Sequence, residues 1–103
     1  MTDTIKANGG DKDCYSKVVV TETKELFGCS VRELYKATGG KMNRRETLPD
    51  EAQQAYIANE VLSAFELERM EGTIGGEDQD EVNDQITAVV REQSKQTRKW
   101  LPW

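Results

Sequence analysis

The chain contains no histidine and only two cysteines, Cys14 and Cys29. Without an imidazole, a general base would have to be a carboxylate or a lysine, and a cysteine nucleophile would lack its usual activating partner. A zinc site would also lack ligands, because the two cysteines form no CxxC pair and have nothing to join them. The many carboxylates fall at helical spacings that suit surface decoration better than an acid–base couple. No catalytic residue, metal ligand or cofactor is therefore expected, and an enzyme is not. Free thiols point to a reducing compartment. Long apolar runs are missing as well: none approaches the ~20 residues needed to cross a bilayer. The opening MTDTIKANGG has no hydrophobic stretch of the signal-peptide kind. A soluble, cytoplasmic protein that does not enter the membrane is the expectation.

What the chain does have is charge, unevenly placed. The net charge of −5 divides into +2 over residues 1–47, −10 over residues 48–90 and +3 over residues 91–103. Arg69 is the single base in the acidic middle. Such a block is either a solvated face that keeps a small protein apart from its neighbours, or a surface that presents acids as a phosphate backbone does. The second possibility makes an acidic DNA mimic, inhibiting a nucleic-acid-binding protein, one alternative function.

The stretch Thr47–Gly72, TLPDEAQQAYIANEVLSAFELERMEG, predicts one long helix at about 48–71. Its interior has no glycine or proline, and good helix formers dominate it. Thr47 is placed to cap it with Asp50, and Pro49 falls in the first turn, where its missing N–H costs nothing. At 3.6 residues per turn, Leu48, Ala52, Ala55, Ala58, Leu62 and Phe65 make one broad apolar face, expected to be the best buried. Ile57, Val61 and Ala64 make a second stripe. A helix apolar on two sides asks for neighbours on two sides, so it is expected at the centre of a small all-α bundle of about four helices. The second stripe then asks for cover from a second copy of the chain or from another protein.

Residues 1–13 are polar and glycine-containing, with Ile5 the only aliphatic residue after the initiator, and are expected to be disordered. Residues 14–103 are expected to form a single helical domain. Within it, Thr21–Phe27 predicts a helix, while Val18, Val19 and Val20 fit a strand as well. Ser30 suits the N-cap of a short helix over Val31–Thr38, ended by Gly39-Gly40. Asp78 and Glu81 suit the start of a last helix over about Gln79–Lys99, with Val82, Ile86, Val89 and Val90 as its apolar stripe.

KELFGCSVRELYKATGG, residues 24–40, resembles a helix-turn-helix unit. Gly28, Cys29 and Ser30 match the glycine, small apolar and polar cap of that family's turn, and Phe27 and Leu34 fall where it buries apolar residues. Lys24 stands where the family usually has alanine, and Glu33 would face phosphate with the wrong charge. The resemblance implies DNA binding, with Arg32, Tyr35 and Lys36 toward the groove and Lys41, Arg44 and Arg45 on phosphates. At the other end, Trp100, Leu101 and Trp103 beside Arg98 and Lys99 are the residue types of interface hot spots. The leading expectation is thus a small regulatory or adaptor protein that binds another macromolecule, foremost a protein, through Ile57, Val61, Ala64 and the tryptophan tail. A homodimer is a further expectation, and a helix-turn-helix DNA-binding regulator is the second alternative.

Overall fold

A computed structural model describes residues 1–103 and shows an all-α protein with no strand. Its helices are α1 (Thr2–Ala7), α2 (Lys12–Phe27), α3 (Val31–Thr38), α4 (Asp50–Arg69) and α5 (Gln79–Arg98), with a 3-10 turn at Arg45–Thr47. The helix α5 packs along both α2 and α4, so it is the element with a long neighbour on each side. α4 matches α5 in length at 20 residues each, but turns one face outward.

The N-terminus corrects the expectation of disorder. Thr2–Ala7 is helical, and Ile5 is 2 % exposed. That single aliphatic side chain enters a cluster with Cys14, Val18, Leu67, Ile86 and Val90. Asn8 then ties the segment down by donating from Nδ2 to the carbonyl of Leu67 at 3.0 Å. Low hydrophobicity concealed a contact that one isoleucine and one asparagine suffice to make.

The valines lie inside α2, which begins at Lys12, capped by Asp11 through the amide of Cys14. Only Val18 of the three is fully buried. α2 ends at Gly28, whose φ of 71° is the left-handed conformation that a glycine adopts without a side-chain penalty. Ser30 opens α3 with a capping box, accepting from the Glu33 amide while Glu33 accepts from the Ser30 amide. Asp78 caps α5 through the amide of Glu81. Thr47 does not cap α4, which starts after Pro49 without a side-chain cap. Its hydroxyl instead accepts from the Lys41 amide and donates to the carbonyl of Arg44, closing the basic loop on itself.

The interior divides into two apolar clusters. One holds Ile5, Cys14, Val18, Leu67, Ile86 and Val90; the other holds Leu26, Leu34, Tyr35, Leu48, Ala52 and Tyr56. Along α2, α4 and α5 the residues between them are polar and fully buried: Glu22, Thr23, Asn59, Ser63 and Ser94.

Candidate interaction surface

The inward stripe of α4 is Ala52, Ala55, Tyr56, Asn59, Ser63 and Leu67, a repeat of three and four residues that defines one helical face. This corrects the broad face expected from the sequence. Leu48, Ala52 and Ala55 are buried, whereas Ala58 is exposed, Leu62 is 43 % exposed and Phe65 is 56 % exposed. Ile57 and Val61 are exposed too, at 61 % and 49 %, with Ala64 half-buried. The apolar residues from Ile57 to Phe65 thus form one outward patch instead of two separated stripes.

Midway along the inner face, hydrogen bonds join the helices. Asn59 donates from Nδ2 to Glu22 Oε2 at 2.9 Å and to Ser94 Oγ at 3.0 Å. The hydroxyl of Thr97 donates to Asn59 Oδ1 at 2.8 Å, so one asparagine joins α2, α4 and α5. Nearby, the hydroxyls of Thr23 and Tyr56 share a hydrogen bond of 2.6 Å. Burial pushes the Tyr56 phenol up to about 12.

Arg45 closes this layer at the surface. Its guanidinium forks onto Glu60, at 2.7 Å and 2.9 Å, reaches Glu22 Oε1 at 3.3 Å, and lies 4.1 Å from the centre of the Tyr56 ring. Burial, then the hydrogen bond and the charge of Glu60, push the Glu22 carboxyl up to about 9. Glu60 moves the other way: burial raises it, but the bonds from Arg45 and Glu22 outweigh this and hold it below the usual range. One proton therefore stays on Glu22 while Glu60 carries the charge that Arg45 neutralises.

This geometry sorts the residues singled out for nucleic acid. Arg32, Lys36 and Lys41 are exposed; Arg44 is exposed but paired with Glu46 at 2.9 Å. Arg45 is committed to Glu22 and Glu60. Tyr35, at 5 % exposure, is a core residue between α3 and the start of α4. A helix, a three-residue turn and a helix do form over residues 24–38, yet of the six candidate side chains only Arg32, Lys36 and Lys41 are exposed cations without an acidic partner.

The tail divides in the same way. Trp103 folds back, stacking on Phe27 at 5.7 Å between ring centres and donating from Nε1 to the Leu26 carbonyl at 3.0 Å. Leu101 is half-buried against the second apolar cluster. Trp100 points away, 87 % exposed. It lines a groove of about 370 Å³ with Ala55, Ala58, Leu62 and Leu101, which carries the apolar patch from α4 onto the tail.

Sequence reasoning placed Ile57, Val61 and Trp100 on the surface and missed Leu62 and Phe65. The signal that could have found them is Asn59 and Ser63, which occupy the same face as Ala52, Ala55 and Tyr56. Comparison with protein-family models, with curated proteins and with solved structures finds no match to this chain.

Proposed function

We propose that this protein is a non-enzymatic binding module that docks another protein on the outer face of α4, extended by Trp100. The observation that carries this reading is an inversion within one helix. Asn59 and Ser63 are fully buried, while Ile57, Val61, Leu62 and Phe65 on the opposite side are 43–61 % exposed. Burying the part of those four side chains that is still exposed would gain roughly half of the ~1.5–3 kcal/mol that full burial of each gives, and contiguous apolar patches on monomers mark interaction sites. A regulatory or adaptor role in the cytoplasm fits, with Cys14 and Cys29 both free.

The test places a photo-crosslinking side chain at Val61 and, as a control, at exposed Val20 on α2, in the protein's native cells. A protein crosslinked from position 61 but not from position 20, and no longer retained by Val61→Glu, supports the reading. Equal crosslinking from both positions, or retention by the folded variant, overturns it.

The second reading, duplex DNA binding by Arg32, Lys36 and Lys41, is supported by the Gly28 turn and the Ser30 capping box. Lys36→Ala should then weaken binding, and the weakening should depend on salt. No duplex binding by the parent at low salt ends that reading.

A further inference from the structure

The rim of the α4 patch is acidic at both ends of the helix, and along its flanks the acids of α4 are paired with bases. Asp50 and Glu51 stand at its N-terminal end, and Glu68 and Glu71 at its C-terminal end, all exposed. Arg69, the one base of the span, is already on Glu66 at 3.1 Å. Toward α5, the adjoining cleft is lined by Glu66, Met70, Val89, Glu92, Gln93 and Gln96, and Lys99 donates to Gln96 Oε1 at 3.4 Å. Arg91, the nearest base in sequence, lines the opposite groove with Lys17 and Asp84. Along the other flank, Glu60 carries its charge against Arg45.

That rim decides what can cover the patch. A second copy packed antiparallel about Val61 would bring the end that carries Asp50 and Glu51 toward the end of the other copy that carries Glu68 and Glu71. A parallel pair would set each acid beside itself. Both arrangements put acids together at the ends of an apolar contact, where like charges oppose association. An anionic lipid surface meets the same repulsion.

We infer that the occupant is an amphipathic helix of a partner protein, with apolar side chains at helical spacing flanked by lysine or arginine. It would lie along α4 as the helix that this bundle lacks, its apolar stripe on Ile57, Val61, Leu62 and Phe65. Its bases would meet Glu51 at one end and Glu68 and Glu71 at the other. The inference rests on the docking reading above and adds the chemistry of the partner.

The probe is a designed helix of about 18 residues, long enough to run most of α4, with leucines at helical spacing and lysines elsewhere. A control peptide replaces every lysine by glutamate. Three proteins are compared: the parent, Val61→Ser with Phe65→Ser, and Glu51→Gln with Glu68→Gln and Glu71→Gln. All these positions are exposed, and circular dichroism checks that each variant stays folded. Saturable binding of the lysine peptide is expected, with amide shifts confined to residues 50–71 and the Trp100 indole. It should weaken about tenfold or more in either variant, and the glutamate peptide should not bind. If both peptides bind the parent equally and the serine variant binds neither, the basic partner is overturned while the docking face stands. If the parent dimerises through this face, as sedimentation would show, the occupant is a second copy and the inference also falls. Shifts elsewhere, or lysine-peptide binding that the serine variant retains in full, overturn it as well. If the parent binds neither peptide and stays monomeric, the docking reading fails with it.

Discussion

At Glu22 a carboxyl with no exposed surface sits between Arg45, Glu60 and Asn59, and its protonation couples folding to pH. The folded protein keeps the proton up to about 9, whereas an ordinary glutamate releases it near 4.5. Between those values folding takes up a proton, so stability falls as pH rises, by at most ~1.4 kcal/mol per pH unit for one proton. Glu60 acts in the opposite sense, its contribution present above 4.5 and lost as pH falls through its lowered value. Stability should therefore peak a little above 4.5 and decline toward 9. Urea midpoints measured across that range should show the decline in the parent, and Glu22→Gln should flatten it. An unchanged slope in Glu22→Gln would place the proton elsewhere. A second contrast belongs to this scale: Leu67→Ala removes a fully buried side chain and should cost ~2–5 kcal/mol, whereas Phe65→Ala, two residues away and outside, should cost less than ~1 kcal/mol. Denaturant unfolding of the two variants checks which face of α4 is the inner one.

Element by element, what local chemistry decides was legible and what packing decides was not. Ser30 with Glu33, Gly28 after α2 and Asp78 before α5 are local signals, and each marks its helix end as expected. The long helix of residues 50–69 and the last helix follow from their helix formers and their stops. The orientation of α4 was hidden because its inner stripe mixes Asn59 and Ser63 with alanines, and an apolar count assigns the wrong side. α1 was hidden for the converse reason: its anchor is one isoleucine in a polar segment. Gly10 shows how closely that segment packs, since a Cβ there would come within 2.5 Å of Ile5 Cγ2 and 3.0 Å of Ile86 Cδ1. Deleting residues 1–10 should consequently destabilise the fold, with Ile5→Ala alone costing ~2–5 kcal/mol. A truncated protein that melts with the parent would show that α1 contributes nothing to the bundle. Of the candidate site, charge and exposure of Arg32, Lys36, Ile57 and Val61 were readable from pattern. The fate of Tyr35 and Arg45 depended on long-range partners that no local pattern reveals.

Across the whole molecule, 41 Å in its longest dimension, two small apolar cores are joined through a polar layer. Each of α2, α4 and α5 passes from one core through that layer toward the other. Sliding any of these helices by one turn would set Asn59 or Glu22 against aliphatic side chains, so the layer fixes their mutual register. Such a layer should behave as a unit. Asn59→Leu alone leaves Glu22 Oε2 without its partner and the Thr97 hydroxyl with only the Gln93 carbonyl, and should cost about 1–3 kcal/mol. Replacing the Asn59 network together, with Glu22→Leu, Asn59→Leu, Ser94→Ala and Thr97→Val, removes Glu22 Oε2 along with its donor, keeps Thr23 paired with Tyr56 and leaves Arg45 with Glu60 at the surface. The fourfold variant should therefore be no less stable than Asn59→Leu, despite three further changes, and its stability should lose the decline with pH. Urea unfolding of the single and fourfold variants, with amide spectra to confirm one conformation, measures both. Costs that simply add would mean that each polar residue acts alone and that register is set by the two apolar cores.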